Sequence, residues 1–488
     1  MRADARSRTL KPEQNGRTLV MKFGGTSVGA PQAMRQTVQI ICDTRRSWPR
    51  LVVVTSALSE VTNLLLESAL AAEKGDAFVI EPARLKMKQI HTDVAVELIA
   101  DAPQRQRLLE EIERLLDEFS SLCRAISVLG EATPRALDAV GSLGERMAIR
   151  LLAEAVREVG VSAEAVEATR LIVTDETFQN AHPDFEATRS KTRQVLEPLL
   201  EQGSVPIVTG FIAAAASGTT TTLGRGGSDY SAGILAAALP AEQVWIWTDV
   251  DGVMSADPRI VPEARTIPQL TYREIAELAY YGTKVLHPKT IRPVVEAGIG
   301  LYICNTFNPS HPGTHLVDNG ANERNGKIKA VTAIHRQRLI TIEGRGMLGV
   351  PGVAARAFTA VALTGTSVPM ITQASSEQSI CFAVPDESAE QVIAALNAAF
   401  RFELEKRDID RIWATEQVVI VTVVGVGMIR TPGISGRVFS ALGAQKVNVI
   451  AIAQGSSEVS ISLVVDAQDG VKAVQTLHTL IMSPEPER

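Results

Sequence analysis

Three glycine-rich segments, each following an apolar stretch, carry side chains that can handle an anion. They read Lys22-Phe23-Gly24-Gly25-Thr26-Ser27, Leu223-Gly224-Arg225-Gly226-Gly227-Ser228-Asp229 and Trp247-Thr248-Asp249-Val250-Asp251-Gly252. Glycine allows the backbone to approach a ligand closely and directs successive N–H groups at a bound phosphate, and a neighbouring lysine adds a positive charge. Each segment alone could be a structural turn, but the three together predict a phosphate site. The P-loop pattern G-x-x-x-x-G-K-[ST] does not occur in the sequence.

A fourth glycine pattern, at Gly344, Gly346 and Gly349, matches the dinucleotide fingerprint G-x-G-x-x-G. The acidic residue that a nucleotide ribose needs about 20 positions later is missing around Pro369. We therefore interpret this pattern as a structural turn or a small-effector loop. A nucleotide-binding oxidoreductase remains an alternative that rests on this pattern alone.

The elements that must position these segments alternate between strands and helices. Helical spacing is found at 34–46 and 84–126, and apolar runs predict strands at 19–25, 51–57, 205–211 and 243–249. The alternation is typical of an α/β fold with a mostly parallel sheet sandwiched by helices. A polar, Gly/Asn-rich stretch between about 316 and 330 predicts a domain boundary.

An internal repeat follows this boundary. GMLGVPGVAARAFTA begins at Gly346 and GMIRTPGISGRVFSA begins 81 residues later at Gly427, and the same spacing relates QASSEQSI to QGSSEVSI. Each copy predicts a strand, a Pro-Gly turn, a helix, two strands and a helix, which suits a small α+β unit of ferredoxin-like type. We therefore expect two packed copies.

The composition restricts the classes of function. Of 488 residues 45% are hydrophobic, and the formal net charge of −6 comes without a basic stripe, which argues against nucleic-acid binding. Four widely separated cysteines fit a reducing compartment. The first ~17 residues lack the apolar segment of a signal peptide, and no apolar run approaches the ~18 residues of a membrane span. These observations predict a cytoplasmic protein with no nucleic-acid or membrane partner.

Taken in order, six segments resemble the aspartate kinases of the amino-acid kinase superfamily. They are KFGGTSV, VTSALSEVTNLL, GSLGER, GFIAAAASGTTTTLGRGGSDYSA, WTDVDGVMSADPR and YGTKVLHPKT. The duplicated units resemble the paired ACT domains of those enzymes. The resemblance covers about 18–482, and because no dehydrogenase domain follows, it is to the monofunctional form.

The resemblance implies transfer of phosphate from ATP to L-aspartate, giving 4-phospho-L-aspartate, the first step towards lysine, threonine, methionine and isoleucine. It implies an N-terminal extension and three domains, with the ACT repeats interleaved because the second unit is inserted within the first in this family. Their limits are 1–17 for the extension, 18–320 for the kinase domain, and 331–412 and 413–488 for the repeats.

The resemblance also assigns roles to residues. Lys22 matches the lysine that neutralises the transferring phosphoryl group, and Asp229 matches the aspartate that organises the catalytic Mg²⁺ ions, whose other ligands the sequence does not identify. Contacts to ATP are implied for Lys22, Gly24, Gly25, Thr248, Asp249, Arg259, Lys284 and Val285. Contacts to the substrate are implied for Ser56, Thr62, Glu145, Phe211, Arg225, Gly226, Gly227 and Ser228, with Arg225 on a carboxylate and Glu145 on the ammonium.

The paired ACT units imply feedback inhibition and assembly. An effector, lysine or threonine, both or neither, is expected at Met347, Leu348, Gly349, Val350, Pro351, Gly352 and Gln373. Pairing between chains implies a homodimer or homotetramer. The repeats could instead serve dimerisation alone.

Four alternatives remain. A related kinase could act on glutamate or its acetylated form, and a pseudokinase could sense amino acids only. At residue level, Glu145 could merely complement a helix dipole, and Arg225 could be a surface turn residue.

Overall fold

The computed structural model describes residues 16–280, 286, 288–318, 327–347, 350–373, 378–428, 431–454 and 459–482. The chain divides into two compact units. The first unit contains the described residues up to Val253, Pro268–Tyr272 and the described residues from 286 to 318. The second unit contains Met254–Ile267, residues 273–280 and the described residues from 327 onwards.

The first unit is built on a mostly parallel sheet. Its strands in the described residues are β1 (Thr18–Phe23), β2 (Arg50–Thr55), β3 (Ala163–Val166), β4 (Val173–Thr174), β5 (Val205–Thr209), β6 (Ile212–Ala215), β7 (Thr220–Thr222), β8 (Gln243–Thr248), β9 (Gln269–Thr271), β10 (Gly300–Asn305) and β11 (Thr314–Val317). Eight of them form one sheet in the order β3-β5-β2-β1-β8-β10-β11-β9, and β4, β6 and β7 form a second. Neighbouring strands from β3 to β10 are parallel, so their carboxyl ends share one edge.

Helices flank this sheet. They are α1 (Gly25–Val28), α2 (Pro31–Ser47), α3 (Val61–Glu73), α4 (Ile80–Leu98), α5 (Ala102–Leu129), α6 (Pro134–Glu158), α7 (Phe185–Glu201), α8 (Gly227–Ala238) and α10 (Pro288–Glu296). The helix between the last two, α9 (Tyr272–Tyr280), belongs almost entirely to the second unit. Residues of α2 to α6 pack with those of β1 and β2 in one hydrophobic core. The fold class predicted from the alternation is confirmed by the parallel sheet between helices.

Helix α6 begins at a well-defined signal in the sequence. Thr133 caps it by accepting a hydrogen bond from the Ala136 N–H, and Pro134 occupies the first turn. Fifteen of its residues are buried, among them Asp138 and Glu145. This helix therefore carries two carboxylates into the interior.

Two predicted elements differ in detail from the structure. The helical stretch predicted at 84–126 is two helices, because Asp101 caps a new helix by accepting from the Gln104 N–H and Pro103 lies in its first turn. The strand predicted at 205–211 ends at Thr209, because Phe211 has a positive φ of 68° that breaks the extended chain before β6.

The second unit contains the two repeats. Its described elements are β12 (Ala330–Glu343), α11 (Val353–Leu363), β13 (Met370–Gln373), β14 (Ser379–Pro385), α12 (Ala389–Ala399), α13 (Arg401–Lys406), β15 (Arg411–Ala414), β16 (Val418–Val424), α14 (Ile434–Ala444), β17 (Ala451–Ala453), β18 (Ser460–Asp466) and α15 (Gly470–Met482). The spacing of 81 residues seen in the sequence relates α11 to α14 and β14 to β18 at both ends.

One long strand joins the repeats. β12 pairs with β16 of the second copy between Ala330 and Gln337, and with β14 of the first copy between Gln337 and Glu343. β15 returns to pair with β12 over the latter stretch. The sheet order β13-β14-β12-β16-β18-β17 therefore places the two copies side by side.

The stretch Met254–Ile267 packs within this second unit. Ala256 and Val261 lie in a hydrophobic core with residues of β16, α14 and α15. Ser255 accepts a backbone hydrogen bond from Val331 at 2.8 Å, and its hydroxyl lies 2.9 Å from His478 Nε2. Across the described ranges of both units, every helix is too short or too polar to cross a bilayer.

Candidate active site

A pocket of about 510 Å³ lies in the first unit. It is lined by Lys22, Ser56, Thr62, Leu66, Leu137, Asp138, Gly141, Glu145, Gln179, Phe211, Thr222, Gly224, Arg225, Gly226, Gly227, Ser228 and Asp229. The structure thus brings together all the residues expected to bind the substrate, with Lys22 and Asp229. Lys22 lies near the carboxyl end of β1, while Ser56 and Phe211 follow β2 and β5, the edge at which ligands bind in open α/β sheets.

Lys22 and Asp229 form an ion pair in this pocket. Lys22 Nζ lies 2.7 Å from Asp229 Oδ1, and the two side chains are 11% and 14% exposed. Asp229 lies in the first turn of α8, where the helix dipole favours a negative charge. A Cβ built on Gly24 would lie 3.5 Å from Lys22 Nζ, so the ammonium group faces the first glycine turn. The pair places both signs of charge beside that turn.

Glu145 offers an unpaired carboxylate oxygen. Its side chain is 3% exposed, and its Oε1 accepts a hydrogen bond from the Ala57 N–H at 3.2 Å. Its Oε2 has no hydrogen-bond partner within the described part of the chain. Burial raises the pKa of Glu145 to about 8, although the Ala57 N–H opposes this. Because buried polar atoms normally have a hydrogen-bond partner, the free Oε2 of Glu145 is suited to bind a donor group of a ligand.

The position of Glu145 settles one alternative. It lies in the middle of α6, with three turns of helix before it. The helix dipole acts mainly within the first and last turns. The interpretation of Glu145 as a dipole partner is therefore wrong.

The glycine segment before α8 has the backbone geometry of a close approach. Gly224 and Gly226 have φ values of 77° and 72°, a backbone conformation that residues other than glycine rarely adopt. A Cβ built on Gly227 would lie 2.7 Å from Phe211 Cδ2. Ser56 Oγ donates to Ser228 Oγ at 3.0 Å and so joins this segment to the end of β2.

Arg225 is exposed and makes no ion pair with any of the residues that the structure describes. Arg225 lines the pocket that also contains the Lys22–Asp229 pair. Planar guanidinium groups bind carboxylates through paired hydrogen bonds. Arg225 is therefore available for an anionic ligand.

The residues expected to contact ATP fall into three groups. Gly24 and Gly25 follow β1, Thr248 and Asp249 end the adjacent β8, and the Gly24 N–H donates to the Trp247 carbonyl at 3.3 Å. Arg259 lies in the second unit, 88% exposed and 2.6 Å from Asp257. Lys284 and Val285 lie outside the described residues.

Several residues that line the pocket were not found from the sequence. They include Asp138, Gly141, Gln179 and Thr222. The signal for two of them was present, because Asp138, Gly141 and Glu145 are three and four positions apart and share one face of α6. Gln179 and Thr222 have no comparable signal, since only the tertiary fold brings them to this helix.

The residues present are compatible with a magnesium ion that arrives with a nucleotide. No group of three or more His, Cys, Asp or Glu that could hold a metal occurs among the residues described. Mg²⁺ usually binds through one or two carboxylates together with substrate phosphates, and Asp229 supplies one carboxylate at the glycine turns.

A second pocket, of about 350 Å³, lies in the first repeat. It is lined by Met347, Val350, Pro351, Gly352, Val353, Ala354, Gln373 and Ile380. Five of the residues expected to bind an effector are therefore brought together, while Leu348 and Gly349 lie outside the described residues. Gly352, the residue immediately before α11, has a φ of 91°, and Gly433 has the same φ immediately before α14.

Comparisons with known protein families match both units. The model of the amino acid kinase family matches residues 17–305. The model of the ACT domain matches twice, at residues 340–400 and 421–480.

Individual relatives give the same result. A bifunctional aspartokinase/homoserine dehydrogenase 1 from Arabidopsis thaliana is 37% identical over 94% of this chain, which spans about half (50%) of that protein's length. Aspartokinase 2 from the same plant is 32% identical, over 96% of this chain and 85% of its own. Escherichia coli aspartokinase III, solved with aspartate and ADP, is 31% identical with a TM-score of 0.78, covering 96% of this chain and 100% of that one. The same enzyme solved with lysine and aspartate has a TM-score of 0.77 at 31% identity, with the same coverage.

Proposed function

The chain belongs to the amino acid kinase family, among its aspartokinase members, and on that premise we propose that it transfers the γ-phosphate of ATP to the side-chain carboxylate of L-aspartate. The products are 4-phospho-L-aspartate and ADP. The observation that carries this proposal is one pocket lined by a lysine–aspartate pair, an exposed arginine and a buried glutamate, one oxygen of which has no hydrogen-bond partner among the described residues. The E. coli relative was solved with aspartate and ADP.

Recognition of the acceptor needs two charges of opposite sign. Arg225 binds a carboxylate of aspartate, and the Oε2 of Glu145 accepts a hydrogen bond from its ammonium. The ligand ammonium also offsets the desolvation that raises the pKa of Glu145, so the carboxylate binds in its ionised form. Phe211 and the Gly226–Ser228 segment close the wall between these two groups.

The chemical step needs no general base, because a carboxylate with an ordinary pKa of about 3.9 is already ionised at neutral pH. The obstacle is the approach of one anion to another. Lys22 and the first turn of α8 place positive potential where charge moves to the leaving phosphate. Gly24 and Gly25 let the phosphates lie against the backbone at the ends of β1 and β8.

Magnesium completes this arrangement in the proposal. Bound with ATP, Mg²⁺ would neutralise charge on the phosphate oxygens. Asp229 is the residue that would hold it, and Lys22 keeps that carboxylate oriented at 2.7 Å. Thr248 and Asp249, joined by a 3.1 Å hydrogen bond at the end of β8, are the proposed nucleotide contacts of this unit.

We also propose that lysine or threonine inhibits the enzyme by binding in the pocket of the first repeat. The support is the pocket of about 350 Å³ beside Gln373 and Gly352, and the E. coli relative solved with lysine. A coupling of roughly 1–3 kcal/mol between the two sites would give clear inhibition. The proposed assembly is a dimer or tetramer of this chain, as the paired ACT repeats imply.

Steady-state ADP release with a panel of acceptors tests the substrate. L-Aspartate should support turnover, whereas L-glutamate and N-acetyl-L-glutamate should not. Arg225→Ala should raise the KM for aspartate about 10- to 100-fold, since a hydrogen bond to a charged group contributes roughly 1.5–3 kcal/mol. Arg170→Ala, an exposed arginine of the same unit outside this pocket, is the matched control. Turnover with a glutamate acceptor in place of aspartate would assign the chain to a related kinase activity.

A further inference from the structure

Asp138 is a buried carboxylate that the proposed chemistry does not use. It is 1% exposed and lies seven positions before Glu145 on the same face of α6. Its Oδ2 accepts from the Gln179 N–H at 3.0 Å and from the Thr222 N–H at 3.0 Å. Its Oδ1 accepts from Thr222 Oγ1 at 2.7 Å and from the Gln179 N–H at 3.2 Å. One carboxylate therefore joins two segments that are distant in sequence.

Both segments belong to the pocket wall. Gln179 has a φ of 66°, an unusual conformation for this residue type, and it lies in the turn between β4 and α7. Thr222 ends β7, three residues before Arg225. Asp138, Gln179, Thr222 and Arg225 all line the same pocket.

The two segments also touch each other at Gly224. A Cβ built on Gly224 would lie 2.9 Å from the Gln179 carbonyl oxygen and 3.0 Å from Asn180 Oδ1. The Gln179 turn therefore packs directly against the residue before Arg225. If the Gln179 turn moves, the backbone that carries Arg225 loses its support on that side.

Burial raises the pKa of Asp138, and the three donors of Gln179 and Thr222 oppose that rise. Removing the carboxylate would leave these donors buried without their acceptor, which costs more than the bonds themselves contribute. The segments would then rearrange to reach water or other partners.

We propose that Asp138 is a positioning residue for the acceptor: by holding the Gln179 turn and Thr222 together it fixes the Gly224–Arg225 backbone against the substrate. The inference rests on the proposed function, because it assigns Arg225 to an acceptor carboxylate. It concerns the acceptor side alone. The nucleotide side, at Gly24 and Thr248, is built on β1 and β8, and among the described residues the side-chain hydrogen bonds of Asp138 go to Gln179 and Thr222 instead.

The decisive variants are Asp138→Ala and Asp138→Asn. The alanine variant should raise the KM for L-aspartate about 10-fold or more, because small displacements of substrate-binding groups have large kinetic effects, while the KM for ATP stays within about two-fold. Asparagine keeps the shape. Its oxygen can accept both N–H groups, and its amide can donate to a reoriented Thr222 hydroxyl. Asp138→Asn should therefore restore most of the affinity for aspartate.

A pair of threonine variants separates positioning from loss of stability. Thr222→Val removes one donor to Asp138 and should raise the KM for aspartate. Thr188→Val is the matched control, since Thr188 is equally buried and its hydroxyl bonds the Val173 N–H and carbonyl at 3.0 and 3.3 Å outside the pocket. It should lower the Tm and leave the KM for aspartate unchanged.

Hydrogen exchange without substrate reports on Asp138 independently of the proposed reaction. The amides of Gln179 and Thr222 should exchange faster in Asp138→Ala than in wild type. If wild type fails to phosphorylate aspartate while these amides respond, the proposed function fails and the anchoring role of Asp138 stands. An unchanged KM for aspartate in folded Asp138→Ala would overturn the proposal. If that variant does not fold, an unchanged KM and unchanged Gln179 exchange in Thr222→Val would do so.

Discussion

Lys22 and Asp229 form a nearly buried ion pair in the pocket that Asp138, Glu145 and Arg225 also line. Taking two charges out of water is costly, and such a pair seldom adds much to stability. The side chains are 11% and 14% exposed at a glycine turn, which fits a role in charge neutralisation better than a role in folding.

The variant Lys22→Ala tests that role. We expect kcat to fall about 10²- to 10³-fold, the usual effect of removing one group that stabilises transition-state charge, in a protein that still folds. Lys86→Ala is the matched control, because Lys86 also pairs with a carboxylate, that of Glu60 at 2.7 Å, but is exposed and outside the pocket. Steady-state kinetics of both variants measure this effect. A near-normal kcat in Lys22→Ala would show that Lys22 does not take part in the chemical step.

Glu145 should give the acceptor affinity a pH dependence. In the free enzyme, burial raises the pKa of this carboxyl from its ordinary 4.5 to about 8. Only the ionised form accepts the ammonium through its free oxygen, so kcat/KM for aspartate should rise with pH through about 8 and then level. The pH profile of kcat/KM, which reports free-enzyme pKa values, measures this. A kcat/KM for aspartate that does not change between pH 6 and 9 in wild type would contradict this role of Glu145.

The same group affects stability with a definite sign. Because the pKa of Glu145 is raised on folding, the folded state binds more protons than the unfolded state between about 4.5 and 8. Its contribution to stability is full below pH 4.5 and is lost as the pH rises through 8. Glu145→Gln should therefore weaken the fall of Tm across this range. Thermal denaturation of both proteins at matched pH values provides the comparison, and parallel curves would contradict the assignment.

Among individual residues, the sequence predicts the site residues that lie within a short, recognisable motif. Lys22, Gly24 and Arg225 belong to such motifs, and the structure places Lys22 and Arg225 in one pocket. Asp138 could not be predicted in the same way, because its partners Gln179 and Thr222 are 41 and 84 residues away. Its function depends on pairing that only the folded chain defines.

At the scale of elements, α6 is the helix on which the acceptor pocket depends. Its face with Asp138, Gly141 and Glu145 forms one wall. Gly144 lies at the closest approach of this helix to the segment after β2, because an added Cβ would be 2.8 Å from Ala57 Cβ. Ala57 is also the residue whose N–H holds Glu145.

This contact can be tested with glycine variants. Gly144→Ala should destabilise the protein by roughly 1–3 kcal/mol through overpacking, even though alanine favours helix by about 1 kcal/mol. Gly436→Ala in α14 is the matched control, since a Cβ there meets nothing within 4 Å. It should be neutral or stabilising. Denaturation midpoints by circular dichroism give the answer, and equal tolerance of the two changes would exclude a tight contact at Ala57.

Local sequence signals predict some element boundaries and not others. The caps of α5 and α6 can be recognised in the sequence, because Asp101 and Thr133 have a proline two positions and one position later. The break at Phe211 is not readable, because a positive φ of 68° at a bulky residue is imposed by its surroundings. One of these constraints is its N–H bond to Ser231 Oγ at 3.0 Å.

At the scale of the whole molecule, the duplication predicts the helices and strands that the two copies share, such as α11 and α14 or β14 and β18. It does not predict α13 and β15, which follow α12 in the first copy. The sequence did not show that Met254–Ile267 packs with the repeats. That stretch follows a strand of the first unit, and its attachment depends on Ala256 and Val261 meeting the core formed by β16, α14 and α15. Order along the chain carries no information about such packing.

The duplication also supplies a controlled test of the effector site. Gln373 lines the pocket of the first repeat, and Gln454 is its counterpart 81 residues later. Gln373→Ala should raise the concentration of lysine or threonine needed for half-inhibition about 10-fold, equivalent to roughly 1.4 kcal/mol, without changing kcat. Gln454→Ala should leave inhibition unchanged. Inhibition assays at fixed aspartate test this, and a shift only in Gln454→Ala would place the effector in the second copy.

The central claim is that this chain makes an acyl phosphate from L-aspartate. The most direct measurement incubates the protein with ATP, Mg²⁺ and L-aspartate, and traps the product with hydroxylamine as the hydroxamate. We expect aspartate-dependent hydroxamate that is lost in Lys22→Ala and retained in Lys86→Ala. Hydroxamate formation that is absent with aspartate, or equal in Lys22→Ala and wild type, would contradict it.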